Sequence, residues 1–451
     1  MRTGLLFVVF SVTLFGQATS GLPAVFQRVF TTGDPTNTTN SGPALIAALA
    51  AMGDGTLIIP KGQYKISTFV TFTRRQMMWG DSPQGTKFIC TINPCMAWAD
   101  TSFGASNYGD AINRNFTLQG TGTTSSNKLI YIGGDPTSTI TPAAAYGDNV
   151  NFEDVIMTNT GTAVTFGSNA YADGFTRWAC FANNSCWNLD SGVTNSGEKM
   201  SITGSLLFNN VSNLMTPSGE EVEIENTSLD CGCTLIYGSS INYKLKNVHL
   251  ESQTTTNSMI VQTFGGANFS IDGFSVTYDQ NVGNVANGIF QFFGQGGAYS
   301  FRNGTVYSNQ TADSFVYNGT TSSSTFNPTF TFDSLDGNGN ALITKLVGNI
   351  NSTNSIQIHT SGINMDFNSR FNNGATYGCD TSSAAVGSPL TICGPLKLDV
   401  LTVSTLPATC TAGQVSSVSD ALAPTYLGTL TGGSSTYTPV TCKGSNTWVS
   451  Y

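Results

Sequence analysis

The sequence predicts an all-β chain folded as a right-handed parallel β-helix, and three observations lead there. Only 10% of its 451 residues are charged, 49 are Gly, and aromatics make up 11%. A short alternating strand pattern recurs through the middle of the chain. When the copies are stacked, equivalent positions match in size and complement in charge. Low charge with many small polar residues suits short stacked strands, and the aromatic content argues against disorder.

The copies come first. Met200–Leu207, Val222–Leu229, Tyr243–Leu250, Phe269–Val276 and Tyr299–Val306 each alternate apolar and polar residues, then turn at a small residue. That is period-two strand chemistry broken by a bend. Val150–Met157 is an earlier copy and Phe330–Leu335 a later one. A second strand lies between copies at Thr162–Phe166, Thr234–Tyr237, Met259–Thr263, Gly288–Phe292 and Ser314–Tyr317. No copy can bury its own apolar face. Stacking coils at about 4.8 Å buries a continuous column.

Register is then fixed by chemistry. Aligning Ile202, Ile224, Leu245, Ile271, Phe301 and Phe332 puts Thr203, Glu225, Lys246, Asp272, Arg302 and Asp333 in one column. From Glu225 its signs alternate, which parallel stacking favours modestly and like charges would oppose. The next position gives Asn226, Asn247, Gly273 and Asn303, a ladder at the bend. A β-sandwich would require neither.

The N-terminus reads as a signal peptide over 1–20. Arg2 supplies the positive start, Leu5–Phe15 the apolar run, and Ala18-Thr19-Ser20 the small residues before cleavage. The run is too short for a membrane span, so the expected product is secreted. Ten cysteines fit export. Connectivity does not follow from sequence. The close pairs Cys90/Cys95, Cys180/Cys186, Cys231/Cys233 and Cys379/Cys393, with Cys410/Cys442, are the expected pairings. Cys231/Cys233 is the least secure, because so tight a loop strains a disulfide.

Net charge is −9 and the pI is near 4.6. No Lys/Arg cluster offers a phosphate footprint, so nucleic acid is not an expected partner. A polyanionic substrate would also need local basic residues. With His249 and His359 as the only histidines and no paired CxxC motif, no zinc set is visible, and no cofactor is implied.

Upstream, Pro43–Met52 is the one strong helix, and Thr56–Ile66 reads as strand, Gly turn and strand. The helix followed by Pro60-Lys-Gly-Gln-Tyr-Lys-Ile66 resembles the N-terminal cap of pectate-lyase-like β-helix proteins, including bacteriophage tailspikes. There a short helix plugs the open end of the solenoid. The resemblance covers 43–66 and, more loosely, the repeats to about 345. It implies a polysaccharide partner and, by analogy with tailspikes, a homotrimer. Tailspikes carry no signal peptide, so that feature departs from them and indicates a secreted cellular relative. The expected organisation is a cap segment over 21–66, the β-helix over 67–350, terminal coils and linker over 351–395, and a small C-terminal β module over 396–451.

The same register locates carboxylates. Ser196-Gly-Glu198 and Ser218-Gly-Glu220 are near copies, so Glu198 and Glu220 should stack. Leu229-Asp230 matches Leu250-Glu251, so Asp230 and Glu251 should stack too. Two carboxylates within about 5 Å drive one pKa up, giving an acid and a base near neutral pH. Glycosidases use such pairs at about 5–5.5 Å or 6.5–9.5 Å. The "SGE" and "His-Leu-Glu" segments are similar to ones in tailspike-like hydrolases. These four are the expected catalytic residues. His249 could share the face of Glu251. An insertion, Tyr171–Val193, carries Trp178, Trp187 and Asp190 and is expected to wall the groove and bind sugar. Alternatively it packs over the solenoid's side, with Cys180 and Cys186. A polysaccharide lyase would need a basic proton abstractor such as Lys199, Lys244 or Lys246, often with Ca²⁺. An adhesin or structural β-helix would point the four carboxylates at solvent with no shared cleft.

Overall fold

The computed structural model describes residues 27–73, 75–101, 111–208, 210, 213–216, 221–239, 241–252, 258–263, 267–278, 285–293, 297–308, 311–318, 328–337, 343–348, 357–361, 363, 400–410 and 412–450. The expected signal peptide, Glu220, and the Cys379/Cys393 pairing lie outside them. Contacts divide the chain into two compact units, with the break falling between 376 and 389.

The larger unit is a parallel β-helix. Among the described residues, one sheet holds nineteen strands and another eleven, and the pairings between their strands are parallel. The aligned residues fall in one column: Ile202 pairs with Ile224, Ile224 with Leu245, Leu245 with Ile271, Ile271 with Phe301, and Phe301 with Phe332. All six are buried. Across the coil, the second sheet brings in Phe290 and Phe315. Phe290 sits 5.1 Å from Phe301, and Phe315 sits 6.2 Å from Phe332. Burying each such side chain is worth about 1.5–3 kcal/mol, and one aromatic pair adds about 0.5–1.5 kcal/mol more.

The charge column is in register from Thr203 to Asp333. Within it, Lys246 approaches Glu225 at 3.8 Å. The bend has a conformational cause. Asn226, Asn247, Gly273, Asn303 and Ser334 all have φ between 50° and 65°. Asn and Gly tolerate this left-handed region best. At Gly273 a side chain would also meet Asn247 Oδ1 at 2.5 Å.

The bend column continues upstream through Asn115, Asp154, Arg177 and Gly204, again at positive φ. This corrects one expectation. The segment Tyr171–Val193 is no insertion but a full coil, with strands Gly174–Thr176, Ala179–Phe181 and Ser185–Leu189 in register above and below. Ala111–Gln119 is another coil, paired with Val150–Thr158.

The helix spans Gly42–Met52. Pro43 suits its first turn, where the missing N–H has no partner anyway, and Gly53 ends it at φ 69°. Leu45 and Leu49 are buried, and the helix packs on the strands Gly55–Ile59 and Val70–Phe72. It closes the apolar interior of the first coils.

The smaller unit has a four-stranded sheet of Val400–Leu401, Val415–Ala421, Thr436–Gly444 and Thr447–Ser450. Its core gathers around Val418, Ala421 and Val440. Disulfides join Cys90 to Cys95, Cys180 to Cys186, Cys231 to Cys233 and Cys410 to Cys442.

Candidate active site

Each long strand of the first sheet has two outward faces, one before the bend and one after it. The face after the bend carries the candidate site. Asp230 is the penultimate residue of the strand Ser228–Cys231, and Glu251 is the penultimate residue of Asn242–Ser252. The two are register partners on adjacent coils. They point outward because Leu229 and Leu250, their neighbours, are buried in the core, and strand side chains alternate. The Cys231–Cys233 disulfide closes the turn directly after Asp230.

His249 shares this face. Its Nε2 lies 3.3 Å from Glu251 Oε2, and its Nδ1 lies 2.7 Å from Ser275 Oγ. With Nε2 protonated, the ring donates to Glu251 and accepts from the Ser275 hydroxyl. The carboxyl of Asp230 is held above the usual carboxylate range, first by partial burial, then by the charge of Glu251, with His249 opposing. Part of that burial comes from its column. Phe208 precedes Asp230 in register and Phe181 precedes Phe208. The two rings stack at 5.0 Å, 20° from parallel, so one side of Asp230 meets an apolar wall. The arrangement supplies two carboxyl groups on adjacent coils, the pKa of one raised by its surroundings, with an imidazole bridging from the other to a hydroxyl.

The other expected residues do not join this group. Glu198 sits in the turn that enters the strand Met200–Thr203, before the bend rather than after it; its carbonyl oxygen accepts from Ala172 N at 2.7 Å. Its partner Glu220 lies outside the described residues. Asp190 follows the strand Ser185–Leu189 in the second sheet. There its Oδ2 lies 2.6 Å from Lys128 Nζ and accepts from Tyr131 OH at 3.1 Å. Burial, then the charges of Asp190 and Asp135, push the Tyr131 phenol well up.

Trp178 and Trp187 correct an expectation. Both are fully buried. Trp178 lies 4.6 Å from Phe175 and Trp187 4.9 Å from Phe166. They fill the interior of a coil, so neither presents a ring to a sugar from solvent. The lysines considered for a lyase also lie elsewhere. Lys244 is held between Glu221 and Glu223, 3.0 Å from the latter. Lys246 belongs to the charge column, and Lys199 lies in the turn before Met200.

Phe181, Phe208 and Ser275 were not among the expected site residues. Following the Asp230 column two coils back, and the His249 column one coil on, would have found them.

Among the described residues, no group of three or more His, Cys, Asp or Glu side chains is placed to hold a metal ion, and no helix is long and apolar enough to cross a membrane. No protein-family model matches the sequence, and no curated protein does either. Solved structures do. A tailspike of an Acinetobacter phage matches at TM-score 0.54 and 11% identity, over 92% of this chain and 74% of its own. A GH87 alpha-1,3-glucanase from Streptomyces thermodiastaticus matches at TM-score 0.48 and 14% identity, over 79% and 72%. The A-module of a mannuronan C-5 epimerase from Azotobacter vinelandii matches at TM-score 0.42 and 12% identity, over 76% and 96%. With its parallel coils and plugged N-terminal end, the chain is a parallel β-helix of the kind found in phage tailspikes.

Proposed function

We propose that this chain is a secreted, polysaccharide-cleaving β-helix that works as a glycoside hydrolase through Asp230 and Glu251. The observation that carries the reading is their pairing on adjacent coils, with the Asp230 carboxyl shifted toward its protonated form by partial burial and by the charge of Glu251. Asp230 acts as general acid on the leaving oxygen. Glu251, oriented by His249, acts as nucleophile. Coils rise by about 4.8 Å, close to the 5–5.5 Å that marks retaining enzymes, so the reaction proceeds with retention. The tailspike and glucanase likenesses are consistent with a glycan partner, and tailspikes make a homotrimer the expected assembly.

The test is reducing-sugar release from a polysaccharide panel. Wild-type protein should release sugar, and Asp230→Asn and Glu251→Gln should each lose about 10²–10⁴-fold in rate, the usual range for acid–base groups. Tight binding with no release by the wild type would make the chain a binding module or adhesin instead. N-terminal sequencing of exported protein should begin at Gly21, and light scattering should give three copies.

A further inference from the structure

We propose that the outward face after the bend takes a neutral glycan, a polymer of uncharged hexoses, and rejects uronate polymers. The inference rests on the reading of Asp230 and Glu251 as a glycan site and names its substrate class.

Two columns make up the face. One runs Thr117, Ile156, Ala179, Leu206, Ser228, His249, Ser275, Thr305 and Asp336. The other runs Gln119, Thr158, Phe181, Phe208, Asp230, Glu251, Thr277 and Tyr307. From Thr117 and Gln119 onward, neither column contains Lys or Arg. On the same strands before the bend, cations and carboxylates alternate. The two faces are therefore built to different rules.

The turns that flank the site add no cation either. From Met200 to Thr344 the sequence holds three Lys or Arg residues: Lys244, Lys246 and Arg302. All three stand on the face before the bend. Lys244 is engaged by Glu221 and Glu223, and Lys246 by Glu225. The nearest cation up the first column is Lys87, which pairs with Thr117 in register and donates from Nζ to Gln119. It lies five coils from Ser228, about 24 Å at the usual strand spacing.

A polymer of uronates would lay a row of carboxylates against Glu251 and Asp336 with no counter-charge in the turns. Like charges placed together at an interface oppose binding. A neutral hexose chain meets no such penalty. Leu206 and Tyr307 are exposed and offer apolar contact for sugar C–H faces. Ser228, Ser275, Thr277 and Thr305 offer hydroxyls that both donate and accept.

Biolayer interferometry on the full secreted protein separates the outcomes. The probes are immobilised oligosaccharides of glucan, mannan and galactan, against oligogalacturonate and oligoalginate. At 10 mM salt, where the Debye length is about 30 Å, at least one neutral probe should bind, with the uronates at least about tenfold weaker. The gap should narrow as salt is raised. Ser275→Lys with Thr305→Lys should close most of it at low salt. Uronates bound as tightly as neutral probes would overturn the proposal, whether or not they are cleaved. So would no binding to any probe, or a gap untouched by the two lysines. Neutral binding without cleavage would instead sink the hydrolase reading and leave the substrate class standing.

Discussion

The bend that aims Asp230, His249 and Glu251 can be tested at Asn247. This residue holds φ 50°, and His249 and Glu251 follow two and four positions later. A β-branched residue fits the left-handed region poorly. Asn247→Val therefore costs about 1–2 kcal/mol for the backbone. It also loses the hydrogen bond from Asn247 Nδ2 to Asn226 Oδ1, 3.2 Å long and exposed, worth about 0.5 kcal/mol. Together these come to roughly 2 kcal/mol, a factor of about 30 in the folded-to-unfolded ratio. Asn247→Gly loses the same side-chain bond but relieves the backbone, so it should stay within about 0.5 kcal/mol of wild type. Urea unfolding measures both, read as a midpoint shift at constant slope. Long solenoids can lose cooperativity, so hydrogen exchange in the strands on either side should accompany it. The Val variant should also lose glycan cleavage, because the site residues ride on the bend. Equal stability of the Val and Gly variants would refute the argument that the left-handed bend dictates Asn and Gly there.

Four further outcomes follow from the same structure. Asp173 is fully buried among the inward residues, with Oδ1 accepting from Val150 N at 2.7 Å, and burial raises its pKa well above the usual range. A folded pKa above the unfolded one contributes least once both forms are ionised, so stability from this group falls as pH rises past the ordinary carboxylate range. Asp173→Asn should raise Tm at pH 7 and flatten that fall; a lower Tm at pH 7 would count against it. Asp230 works in the same direction in catalysis, so the alkaline limb of kcat/KM should lie above the ordinary carboxylate range and disappear in Asp230→Asn. Cys231→Ser with Cys233→Ser opens a loop too short for much chain entropy, so Tm should move little while kcat falls, because the turn after Asp230 is released. Trp187→Ala should cost about 3–5 kcal/mol of stability, and Trp187→Phe should leave glycan binding intact, since the ring sits in the core.

Much of the fold was legible because stacking makes each coil check its neighbours. The column from Ile202 to Phe332 and the charges beside it could be aligned by eye, and the asparagine ladder marked the bend. The coil at 171–193 escaped because its bend residue is Arg177 rather than Asn or Gly, and because Asp173 breaks the inward apolar pattern. Misreading that coil as an insertion also turned Trp178 and Trp187 outward. Once the segment is a coil, period-two alternation carries both rings inside. Of the candidate site, Asp230, His249 and Glu251 were legible because they share one register. Asp190 was misplaced because it belongs to the second sheet, where its partners Lys128 and Tyr131 are distant in sequence. Phe181 and Phe208 were hidden as ordinary strand residues until their column was followed to Asp230.

The account stands on Asp230 and Glu251 acting as acid and nucleophile on one glycan. Once a neutral substrate is found, its activated 2-fluoro glycoside should trap the nucleophile as a stable ester. Peptide mapping by mass spectrometry should place the label within Asn242–Ser252, on Glu251, and Glu251→Gln should take no label. A label on any other carboxylate, Glu198 or Glu220 included, would contradict the account, as would an active enzyme that takes none.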